Sequence, residues 1–168
     1  LTDFLFGTTW TPLFKNGEFG VLPLLSGTIV ITLIAIAVAI PLGLGASIYL
    51  SEYASSRVRK ILKPTLEVLA GIPTVVFGFF ALEFLTQLVL VKIFTVIEVF
   101  NALSAGLIMG VMIIPTIASL SEDAMAAVPS GLRDGAYALG SSKRQTAVKV
   151  VIPAALSGIV AAFVLGIS

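Results

Sequence analysis

The sequence predicts an all-α membrane protein, and three observations carry that expectation. Of 168 residues, 58% are hydrophobic and only 11% charged, whereas an ordinary soluble domain carries about 25% charged residues. Long runs of Leu, Ile, Val, Ala and Phe continue without the apolar–polar alternation of a barrel strand. Such runs suit helices, which need about 20 apolar residues to cross a bilayer and satisfy their backbone groups internally.

Inventory removes several function classes. Cys and His are absent, which excludes disulfide frameworks, Cys/His metal sites and histidine acid–base chemistry. A net charge of +1, with basic residues scattered around apolar runs, gives no nucleic-acid footprint. An intramembrane enzyme would need a carboxylate or hydroxyl site. Glu67 and Glu83 stand sixteen residues apart, too far along one helix to act together. The chain is expected to be neither an enzyme nor the holder of a cofactor.

The elements follow in order. Residues 1–21, with Trp10 and Phe14, form a segment before the first span and lack the basic start and compact apolar centre of a signal peptide. Span one covers 22–50, carries no charge and includes Pro41. Residues 51–63 form a connection with Arg57, Arg59, Lys60 and Lys63. Span two runs over roughly 64–91 with Pro73 and Gly78, and span three over about 102–120 with Pro115. Within span three, Gly106 and Gly110 make the G-x-x-x-G spacing that lets helices approach closely. A polar loop fills 121–149, and span four begins near Val150. The chain starts at Leu1 and stops at Ser168 inside an apolar run, so it is expected to be part of a longer protein.

Orientation follows from Lys and Arg near the span ends. Connection 51–63 and loop 121–149 hold eight of them, the latter contributing Arg133, Lys143, Arg144 and Lys149, whereas the opposite side holds Lys15 and Lys92. Both basic segments are therefore expected in the cytoplasm, with the residue 1 end outside.

Loop 121–149 carries helix punctuation. Ser130 is placed to cap a short helix through Leu139, Gly140 to stop it in the left-handed region, and Ser142 with Gln145 to form a capping box for the next. Leu132, Ala136 and Leu139 share a face by spacing, open either to a docking partner or to packing on the chain itself.

Asp134, Gly135, Ala136, three residues, Gly140, nine residues, then Val150, Ile152 and Pro153 resemble the EAA loop of bacterial ABC importer permeases. Asp stands for the usual Glu and Gly135 for the usual first Ala; glycine weakens a helix by about 1 kcal/mol against alanine. "FLFGTTWTP" at 4–12, "FGVLPLLSGT" at 19–28, "IPLGLGASIYLSEYA" at 40–54 and "LAGIPTVVFGFFAL" at 69–82 are similar to permeases of phosphate-specific transport. The Trp-Pro entry segment favours the PstC type over its PstA partner.

The resemblance implies a type I importer permease fold over 22–168, with 1–21 extracytoplasmic, in a bacterial inner membrane. It also implies that 121–149 contains the coupling helix, with Leu132, Asp134, Gly135, Ala136, Gly140 and Pro153 as its site residues. The implied partners are cytoplasmic ATPase subunits that bind the ATP, a second permease subunit and an extracytoplasmic phosphate-binding protein. In the family an Arg-Ala-Ile-Gly-Glu-Thr sequence follows, expected at or beyond Ser168. Another oxyanion, molybdate or sulfate, is the alternative substrate, and the PstA-type partner subunit the alternative role.

Other motifs are weaker. "GAYALGSS" at 135–142 has the two-glycine spacing of a P-loop, but Ser141 stands where the phosphate-binding lysine belongs. A multivalent anion on a low-dielectric path needs donors or cations. The spans offer only hydroxyls, so Thr28, Thr74 and Thr116, with Thr32, are the translocation-path candidates. Lys63 and Glu67 are spaced to pair at i, i+4. Glu83, twenty residues past Lys63 at about 1.5 Å each, is expected near the outer interface.

Overall fold

The computed structural model describes residues 2–11, 17–94 and 98–168. Phe14, Lys15 and the residue 1 end, which entered the topology argument, lie outside the described residues.

The described chain is helical. α1 is Thr2–Phe6, α2 Leu22–Ile48, α3 Ser56–Ala70, α4 Thr74–Phe80, α5 Val91–Ile93, α6 Ala102–Ala126, α7 Ser130–Ala138, α8 Lys143–Thr146, α9 Ile152–Ala154 and α10 Leu156–Ile167. Wide π-helical turns extend α2 over Tyr49–Tyr53, join α4 to α5 over Ala81–Leu90, and join α8 to α9 over Ala147–Val151. Among the described residues, β pairing is limited to one isolated bridge, Trp10 with Phe19, whose rings meet edge to face. Among the described residues three helices are long and apolar enough to cross a membrane: Leu22–Tyr53, Thr74–Ile93 and Ala102–Ala126. Lys143–Ala154 and Leu156–Ile167, bent by 72°, could form a fourth.

Several expected boundaries move. Residues 56–63 belong to a helix rather than a connection, and the second span starts at Thr74 after a break at 71–73. Pro73 at that break removes a backbone donor and disfavours helical geometry before it. Pro41, Pro64 and Pro115 sit inside helices that continue past them. α6 reaches Ala126, so 121–126 extends the third span.

α6 is the central element, and glycines set its contacts. A Cβ on Gly106 would meet the Ile34 Cβ at 2.6 Å, and one on Gly110 would meet the Ala35 carbonyl oxygen at 3.0 Å. From the other side Gly43 lets Ile117 in, where an added Cβ would lie 2.7 Å from its Cγ2. The G-x-x-x-G pair thus brings backbones together, as its spacing predicts. These contacts advance in the same direction on both helices, so α2 and α6 run parallel.

From Lys63 to Ala81 the chain runs back along α6, opposite to it in direction. Lys63 reaches Glu122 at one end, and Ser104 Oγ donates to the Ala81 carbonyl (3.0 Å) at the other, itself accepting from Thr86 Oγ1 (2.8 Å). Glu83, two residues beyond Ala81, therefore lies close to the Ala102 end of α6. At the opposite, basic end a core of Met125, Val128, Val151, Ala155 and Ile159 closes against Leu44, Ile48 and Phe163.

Candidate functional site

α7 packs on the wide turn 147–151, which contributes Val151 to this core. Its start differs from expectation: Ser130 is the first helical residue and Pro129 precedes it as the cap position, with no side-chain cap. Proline's fixed φ, −54° here, leads the chain into the helix without a capping hydroxyl. The exit follows the glycine rule, since Gly140 has φ 83°. Ser142 and Gln145 form the reciprocal capping box that starts α8.

The spacing-derived face of Leu132, Ala136 and Leu139 divides. Ala136 is buried (8% exposed) against its own chain, whereas Leu132 (48%) and Leu139 (89%) are open. Tyr137, Asp134, Gly135 and Gly140 are exposed too. Leu139 diverges because it ends the helix instead of continuing its face. Exposed Pro153 sits in α9, just before the 72° bend.

The threonine candidates are not gathered. Thr28 donates to the Leu24 carbonyl of its own helix (2.9 Å). Thr74, exposed, opens the helix after the Pro73 break and lines a groove of about 660 Å³ with Phe77, Ser104, Met109 and Met112. Thr116 is half-buried beside Pro115 and does not line that groove.

The charged residues at the basic end are gathered. Glu122, with its side chain 3% exposed, receives Lys63 Nζ at 2.8 Å and faces Arg59 Nε at 3.6 Å. Lys63 also pairs with Asp123. Asp123 first, and Glu122 with it, hold the Lys63 ammonium above the usual lysine range by hydrogen bonding. Lys63 is thus drawn to α6 rather than to Glu67. A buried carboxylate left unpaired is costly, whereas exposed Glu67 is already solvated.

Arg133 of α7 donates Nη1 to the Val128 carbonyl (2.7 Å) and Nη2 to the Met125 carbonyl (2.8 Å), both at the C-terminal end of α6. The same guanidinium donates Nη2 and Nε to Glu52 Oε1 at 3.0 and 3.3 Å. Sequence reasoning counted Arg133 only as a topogenic charge and passed over Glu52 and Glu122. The available signal was a carboxylate at the end of each of two apolar runs, on the side that also carries the cations.

Residues 39–168 match the family model described as "Binding-protein-dependent transport system inner membrane component". The chain belongs to that family. Among relatives of this membrane component, "Probable ABC transporter permease protein YqgH" of Bacillus subtilis is 40% identical over 99% of the chain and 53% of its own length. "Phosphate transport system permease protein PstC" of Mesorhizobium japonicum is 32% identical over 98% of the chain and 55% of its own. "Phosphate transport system permease protein PstA 1" of Mycobacterium tuberculosis (strain H37Rv) is 34% identical over 89% of the chain and 46% of its own. The chain spans about half the length of the curated relatives it matches. No solved structure gives a significant match. Membership makes this a transport-system membrane component, with its apolar helices as the membrane part.

Proposed function

We propose that the chain is the PstC-type permease subunit of an ATP-driven phosphate importer in a bacterial inner membrane. The observation that carries this is similarity to phosphate transport permeases over nearly the whole chain. Similarity to PstC relatives extends over 98% of the chain, whereas the PstA relatives cover 89%. In this reading ATP is bound by separate ATPase subunits that dock on α7 through Leu132, Tyr137 and Leu139. A second permease subunit completes the path, and an extracytoplasmic phosphate-binding protein delivers substrate. The chain catalyses nothing itself.

The test is transport. The full-length protein with its partner subunits, reconstituted in liposomes, is expected to show ATP-dependent uptake of labelled phosphate that excess sulfate or molybdate does not suppress. Preferential uptake of either competitor would overturn the substrate while leaving the permease reading.

Orientation is tested separately. In a cysteine-free full-length protein, single cysteines replacing Arg57 or Lys143 are expected to resist an impermeant thiol reagent on intact spheroplasts, whereas one replacing Lys92 is labelled. Arg57 and Lys143 are exposed at the basic end, so their protection would report sidedness rather than burial. The reverse pattern would invert the topology.

A further inference from the structure

Two guanidiniums at the basic end are wired crosswise. Arg59 donates Nε and Nη2 to the Leu50 carbonyl (3.0 and 2.6 Å) and Nη2 to that of Ser51 (2.6 Å), closing the end of the first span, while facing Glu122 of α6. Arg133 does the converse: it closes the end of α6 at Met125 and Val128 and pairs with Glu52 of the first span. Helix C-termini leave carbonyls unsatisfied and carry partial negative charge, so each arginine neutralises one helix end and one carboxylate together. The Glu52 side chain is 4% exposed and also accepts from Ser51 Oγ at 3.1 Å. Its charge is therefore held between two elements far apart in sequence.

Only Arg133 sits on α7. Its guanidinium is planar with donors in a fixed fork, and it is engaged on three groups belonging to two spans. A displacement of α7 can leave the first span behind only by breaking a largely buried ion pair, which is strongly unfavourable. The wide turn Tyr49–Tyr53 that presents Glu52 continues the α2 helix, so a pull there acts along the whole span.

We propose that Arg133, acting through Glu52, is the positioning residue that carries movement of α7 into α2, so that α7, α2 and α6 move as one body. The proposal rests on the reading of α7 as the ATPase-docking helix. It goes further by assigning the path out of that helix to one ion pair.

The test uses the full-length protein assembled with its partners in liposomes, comparing wild type with Glu52→Gln and Arg133→Lys. Both variants are expected to retain the ATPase subunits and to hydrolyse ATP. The phosphate moved per ATP is expected to fall about tenfold, within the range that substitutions along a coupling network produce. A merely structural role would lower assembly or stability and leave that ratio intact, so an unchanged ratio in both variants overturns the proposal. A second measurement stands apart from transport. Amide exchange over 130–138 in the detergent-solubilised full-length protein is expected to speed up in Glu52→Gln while that over 104–118 stays at the wild-type rate. Should wild type itself move no phosphate, the functional reading fails and the link is judged on exchange alone: faster exchange confined to 130–138 supports it, and wild-type exchange there overturns it.

Discussion

Gly106→Leu is expected to disrupt assembly of the bundle, whereas Gly27→Ala in α2 leaves it intact. At Gly106 even the first added carbon lies 2.6 Å from the Ile34 Cβ and 3.0 Å from the Ile31 carbonyl oxygen. Neither neighbour is the far end of a flexible side chain, so relief requires α2 and α6 to separate. Overpacking a tight contact costs about 1–3 kcal/mol, and leucine adds more atoms than the contact can absorb. In the full-length protein in detergent the melting temperature is expected to fall by roughly 5–10 °C. A Cβ on Gly27 meets nothing within 4 Å, and alanine there is expected to be neutral or slightly stabilising. Equal melting temperatures for Gly106→Leu and wild type would show that α2 and α6 do not meet through this glycine.

Leu139→Asp is the second large effect, on association rather than folding. Leu139 is 89% exposed and lies at the end of α7, so an aspartate there removes no contact within the chain. In the docking reading it places an unpaired charge in the contact with the ATPase subunit and removes an apolar anchor beside Leu132 and Tyr137. Hot-spot losses are about 2 kcal/mol or more, roughly 30-fold in affinity. ATPase co-purification is expected to drop accordingly while the membrane level of the permease holds. Wild-type recovery of the ATPase would remove Leu139 from the docking surface. Ala136 is the poorer probe, because at 8% exposed a charge there would first dislodge α7 from its own chain.

The same contrast runs through what could be read before the structure. Ser142 with Gln145, and Gly140 with its positive φ, were legible because capping acts over three or four residues. Gly106 and Gly110 announced a close helix contact but not its partner, since Ile31, Ile34 and Ala35 are identified only by the register between two helices. Ser130 misled because a proline entry served in place of a hydroxyl cap.

Helical class, the approximate spans and the basic asymmetry between the two sides were determined by the sequence alone. Each depends on composition within a short window, and a membrane allows few other ways to satisfy a backbone. The ion pairs were decided by tertiary structure. Lys63 had Glu67 four residues away and took Glu122 at a separation of 59, and Arg133 reached Glu52 across 81. The reason is burial: packing withdraws Glu52 and Glu122 from water, and a desolvated carboxylate claims whichever cation the fold brings within reach.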